Sequence, residues 1–72
     1  MGRPAERPSI RVLNALRRRL DSGEWESGAQ LPTVREVADA YGVSTRTVHN
    51  AYRVLADEGL IVITPGWGTH RA

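Results

Sequence analysis

The sequence predicts a mainly α-helical domain of three helices closed by a small β-hairpin. Three segments carry apolar residues at helical spacing, and one β-branched run follows them, bounded by glycine and proline. The 72 residues leave room for one small domain, and a chain of this size buries only about 60% of the surface its unfolded form exposes. Marginal stability is therefore expected. Residues 1–8 are expected to form a flexible N-terminal arm and 9–72 the folded domain, with no effector domain present.

In the first helix Ile10, Leu13, Leu16 and Leu20 recur on one face, after a tail whose prolines Pro4 and Pro8 discourage an earlier start. Arg17, Arg18 and Arg19 then fall mostly on solvated surface. The stretch Ser22 to Gln30, SGEWESGAQ, reads as linker-like loop. Thr33 and Glu36 form a capping box that starts the second helix, with Val34, Val37, Ala38 and Tyr41 at helical spacing. Gly42 stops it, because glycine takes the left-handed conformation at little cost, and Ser44 can cap the next helix. The short turn Gly42-Val43-Ser44 is the length a helix-turn-helix needs.

The third helix, expected over about residues 45–58, divides by face. Val48, Ala51, Tyr52 and Leu55 point to a core, and Arg46, Asn50, Arg53 and Asp57 point away from it. Arg46 lies in the first turn, where a recognition helix touches base edges, and its fork of donors matches guanine O6 and N7. Thr45, Thr47 and His49 add hydrogen-bonding groups around it. Gly59 closes the helix. Leu60 to Thr64 then reads as a strand, Pro65 to Gly68 as a turn, and Thr69 to Arg71 as a returning strand, so that about residues 60–71 form a wing.

This ordered set resembles the winged-helix DNA-binding domain of the GntR family of bacterial transcription regulators. The residues that carry the resemblance are Gly23, Trp25 and Gly28, then Leu31-Pro32, Arg35-Glu36 with Ala38, Gly42-Val43-Ser44, Thr47-Val48, Leu55, Gly59-Leu60, Gly66 and Gly68-Thr69. Departures occur at Ser9, where the family has an aromatic residue, and at Ser27, where it commonly has proline. Thr45 replaces the arginine that directly follows the capping residue, with Arg46 one position later. His70-Arg71 stand where apolar residues are preferred, so the closing strand is expected to be short or frayed.

The resemblance implies sequence-specific binding of double-stranded DNA by a three-helix winged helix-turn-helix that regulates transcription, with repression the expected sign. Ser44, Thr45, Arg46, Thr47 and His49 are assigned to DNA at the start of the recognition helix, in the major groove. Arg35 is assigned to phosphate, with base contact also implied. Gly66 is assigned to the wing, where the lack of a side chain permits close approach to the minor groove. A weak homodimer on a palindromic operator is expected, and no small-molecule effector site within these residues. Alternatives from other classes are a solvated helical hairpin, a protein-interaction winged helix, and a DNA-architectural accessory factor of excisionase type.

Composition agrees with a nucleic-acid partner. The ten basic residues are all arginine and exceed the acidic ones by two, with an isoelectric point near 9.9. Arg3, Arg7 and Arg11 are placed either to track DNA or to lie solvated in the tail. Cysteine is absent, and His49 and His70 lie far apart, so no disulfide, metal or cofactor is expected. No nucleophile, base and orienting residue form a set, which argues against an enzyme. No apolar run suits a membrane span or signal peptide, and a cytoplasmic protein is expected. Trp25 is expected in the core or as its lid. Trp67 either folds back over the strands or projects toward DNA, and burial on the strands is the expectation.

Overall fold

The computed structural model describes residues 7–72. Most of the arm expected over residues 1–8 therefore lies outside the described residues. The elements are α1 (Pro8–Asp21), α2 (Val34–Tyr41), α3 (Thr45–Asp57), β1 (Ile61–Thr64) and β2 (Gly68–Arg71). This is the mainly α, three-helix winged arrangement that the sequence pattern predicts. Pro8 opens α1 as its first residue, where the fixed φ suits the helix and no amide is needed.

The caps follow the sequence closely. Thr33 Oγ1 accepts from the Glu36 amide at 3.1 Å, and Glu36 Oε1 accepts from the Thr33 amide at 2.8 Å, which completes the capping box. Gly42 ends α2 in the left-handed conformation, φ 67°, and the Val43 amide returns to the Ala38 carbonyl at 3.0 Å. Ser44 starts α3 by accepting from the Thr47 amide at 3.1 Å. The turn between α2 and α3 is thus capped on both sides.

α3 is the element on which the others assemble, packing against α1, α2 and β1. Its buried row is Val48, Ala51, Tyr52 and Leu55, as the face analysis predicts. Against it α1 presents Val12, Leu16 and Leu20, an i, i+4 row. This corrects the expected face of α1. Val12 is fully buried, Leu13 only half-buried and Ile10 exposed, because the helix meets α3 along the 12-16-20 row and turns its flank outward. Tyr52 fills the centre and donates its phenol hydrogen to the Pro32 carbonyl at 2.6 Å, which ties the approach to α2 into the core.

β1 and β2 pair antiparallel from Ile61 with Arg71 to Thr64 with Gly68, so β2 is fully paired and not frayed. Arg71 is the reason. Its guanidinium donates to the Trp25 carbonyl at 2.8 Å and reaches the Leu20 carbonyl at 3.4 Å, locking the strand end against the loop after α1. The loop expected to be linker-like is also partly ordered onto the wing. Gly28 donates to the Arg71 carbonyl, the Arg71 amide to Ala29, and the Leu31 amide to Thr69, each at 2.8 Å. Gln30 bridges His70, and this segment covers an edge that β2 would otherwise leave unpaired.

Burial pushes the Tyr52 phenol up to about 12, from its usual value near 10. The folded state then holds this proton more tightly than the unfolded chain does. The resulting stabilisation is complete below about pH 10 and is lost as pH rises from about 10 to about 12. Tyr52→Phe should lower stability at pH 7 by about 1 kcal/mol through the lost hydrogen bond. It should also remove this alkaline loss, and urea unfolding at neutral and alkaline pH measures both effects.

Candidate nucleic-acid interface

The surface left free by the packing of α3 is the face that Arg46 opens. At i, i+3, i+4 and i+7 spacing, Arg46, His49, Asn50 and Arg53 form one strip, all exposed, with Thr45 exposed beside His49. No carboxylate lies on α3 before Asp57, and its first turn holds no acidic residue. The positive end of its helix dipole is therefore not neutralised from within the helix. α2 differs, since Glu36 sits in its first turn and closes its own capping box.

Ser44 and Thr47, both assigned to DNA from sequence, lie together at this helix start. Their hydroxyls share a hydrogen bond at 2.9 Å, and Ser44 also holds the Thr47 amide. Both hydroxyls are thus engaged in starting the helix, which sets the direction in which Thr45 and Arg46 leave it. Thr47 is half-buried and the other assigned residues of α3 are exposed. Arg35, like Arg46, is the second residue of its helix and is exposed. Gly66 lies exposed in the wing turn at φ +81°, a conformation that disfavours any side chain.

The arginines divide into two groups. Arg17 pairs with Glu58, joining α1 to the end of α3. Arg19 bonds Glu24 through Nε at 2.9 Å, reaches the Tyr41 hydroxyl at 3.4 Å, and lies 4.5 Å from the centre of the Trp25 ring. This cation–π contact accompanies the burial of Trp25, which takes the core position expected of it. The hydrogen bond from Arg19 holds Glu24 below the usual carboxylate range, and Arg17 does the same for Glu58. Of the arginine cluster expected to be mostly solvated, Arg17 and Arg19 are therefore structural ties. Among the described residues Arg35, Arg46 and Arg53 hold no such partner and remain available to an external anion.

Asn50 and Arg53 share the exposed strip without having been assigned a role from sequence. Their helical spacing from Arg46 is the signal that identifies them. Trp67 departs from expectation. It is 77% exposed and does not cover the strands, because burial on β1 is confined to Ile61 at the hairpin base, at the other end of the strand from the turn. The described residues contain no cluster of three or more His, Cys, Asp or Glu placed to hold a metal, and no helix long and apolar enough to cross a membrane.

Comparison with known proteins places this geometry. Residues 8–70 match the family model described as bacterial regulatory proteins, gntR family. The histidine utilization repressor of Klebsiella aerogenes is 36% identical over 59 residues, covering 82% of this chain and 24% of that protein. The HTH-type transcriptional repressor NagR of Bacillus subtilis is 34% identical over 58 residues, covering 81% of this chain and 24% of that protein. The chain thus spans about a quarter of the length of either relative. Among solved structures, the AraR DNA-binding domain in complex with operator ORE1 superposes with a TM-score of 0.92 at 25% identity, covering all of this chain and 89% of that one. The match to the family model takes in the three helices and nearly all of the wing, and the chain belongs to the GntR family of bacterial regulatory proteins.

Proposed function

We propose that this chain is the DNA-reading module of a transcriptional regulator, acting as a repressor, with α3 in the major groove of duplex DNA and the wing beside the minor groove. The observation that carries this reading is the exposed strip of Arg46, His49, Asn50 and Arg53, free of carboxylates at a helix start whose dipole favours anions. Repressor names among the relatives, and the operator complexes of AraR, support it. The chemistry is recognition and not catalysis.

In this reading Thr45, Arg46 and His49 face base edges, while Ser44 and Thr47 set the helix start and approach the backbone. Arg35 holds phosphate from the start of α2, and the Gly66 backbone approaches the minor groove. One module of this size has limited contact area, so two copies on the half-sites of a near-palindrome supply useful affinity. The chain itself is then a monomer or weak dimer in solution. The chain then acts in the cytoplasm, its partner is double-stranded DNA, and no small-molecule effector is held by these residues.

Selection of binding sites from a random duplex pool tests the reading directly. A defined near-palindrome is expected, whereas enrichment of no sequence would favour an architectural factor or a protein-interaction module. On the selected site, Arg46→Ala should cost about 1–3 kcal/mol and flatten the preference at one position per half-site. Arg35→Ala should weaken all sequences alike and reduce the salt slope by about one unit. Equal, sequence-blind losses for the two variants would remove the base-reading role of Arg46. Sedimentation should show one chain per particle without DNA and two on the operator, and a tight dimer without DNA would contradict the assembly.

A further inference from the structure

We propose that Trp67 is itself a DNA-contacting residue, its indole packed against the sugar walls of the minor groove beside the site read by α3. The inference rests on the duplex-binding reading above and adds an apolar contact to it. Trp67 is 77% exposed, against 39–50% for the other exposed large apolar side chains, and it sits at the extremity of the hairpin. Among the described residues its indole has no hydrogen-bond, ion-pair or ring partner.

The tip that carries Trp67 is ordered. The Trp67 amide donates to the Thr64 carbonyl at 3.0 Å, and the strands stay in register up to Thr64 with Gly68. Gly66 at φ +81° and Gly68 at φ +96° give the turn a shape that other residues rarely adopt. Gln30 braces its base, lying so close that a β-carbon on Gly68 would meet Gln30 Nε2 at 3.1 Å. An aromatic side chain on such a turn has only two side-chain torsions to order on binding, so little entropy opposes the contact. β1 packs directly on α3, which holds the wing next to the reading helix.

The lack of charge on the turn sets the kind of contact it can make. Residues 64–69, Thr-Pro-Gly-Trp-Gly-Thr, contain neither a carboxylate to repel phosphate nor a cation to attract it. The nearest arginine, Arg71, has its guanidinium on the Trp25 and Leu20 carbonyls. The turn then has no formal charge with which to hold phosphate, and the indole adds apolar contact with sugar and a hydrogen bond from its N–H to the backbone approach of Gly66. Minor-groove proteins use apolar side chains in the same way. Such a contact is insensitive to salt, because it releases no counterions, and this separates it from the arginine contacts of α2 and α3.

Binding to the selected duplex at several salt concentrations tests the assignment on the full chain. Trp67→Ala is expected to weaken binding about tenfold, the scale of one aromatic contact to nucleic acid. Its salt slope and the base preference set by Arg46 should be unchanged, and Trp67→Phe should retain most of the affinity. The unfolding midpoint of Trp67→Ala should match that of the parent chain, and a lowered midpoint would return Trp67 to a packing role. Acrylamide quenching gives a second readout on the unaltered protein. Trp25 is only 9% exposed, so the quenchable emission belongs to Trp67 and should be shielded by duplex. Wild-type affinity of Trp67→Ala, or quenching unaffected by duplex, would overturn the assignment while an Arg46-dependent site leaves the DNA-binding reading intact. If no duplex is bound and Arg46→Ala changes nothing, both fall together.

Discussion

α3 carries two duties on one helix, and the architecture depends on keeping them on opposite faces. Its row of Val48, Ala51, Tyr52 and Leu55 is buried against α1, α2 and β1 at once. Because 3.6 residues make a turn, the same periodicity sends Arg46, His49, Asn50 and Arg53 outward. Packing on three sides leaves the helix little freedom to roll, so the core holds the exposed strip in place. A shift of a single position along α3 in either direction would bury polar or charged side chains and expose apolar ones, which makes the register costly to change.

The arginines extend this division of labour to the rest of the molecule. Arg17, Arg19 and Arg71 bind groups within the chain, and Arg35 and Arg46, at helix starts, have no side-chain partner among the described residues. Arg71 serves the fold through backbone carbonyls, which keep their acceptor capacity whatever the surrounding sequence. It holds the wing against the loop after α1. The exposed pairs Arg17 with Glu58 and Arg19 with Glu24 add modest stability, since solvent screens them, although the Trp25 ring beneath Arg19 gives the second pair a further anchor. A small core is thereby supplemented by ties that cross between elements distant in sequence.

The wing owes its order to three short contributions, none sufficient alone. Two four-residue strands make a marginal hairpin. Pairing of Gly28 to Leu31 along β2 and the Arg71 anchor supply what the hairpin lacks. Support is concentrated at the base, and Trp67 in the turn is left 77% exposed.

The elements and the two faces of α3 are legible in the amino-acid sequence, because those properties are local. Capping by Thr33, Glu36 and Ser44 acts within one helical turn, Gly42 needs only its own backbone torsion, and the faces of α3 follow from spacing along one helix. The exposed positions of Arg46 and His49 were legible for the same reason, and Asn50 and Arg53 were legible from their spacing. Tertiary structure alone decided which row of α1 is buried, since Val12 and Ile10 are both apolar and only the crossing with α3 distinguishes them. It also decided that Arg71 is an anchor, that part of the glycine-rich loop is a strand partner, and that Trp67 faces solvent. These depend on contacts between residues tens of positions apart, and no periodicity within a segment carries information about what another segment will place beneath it.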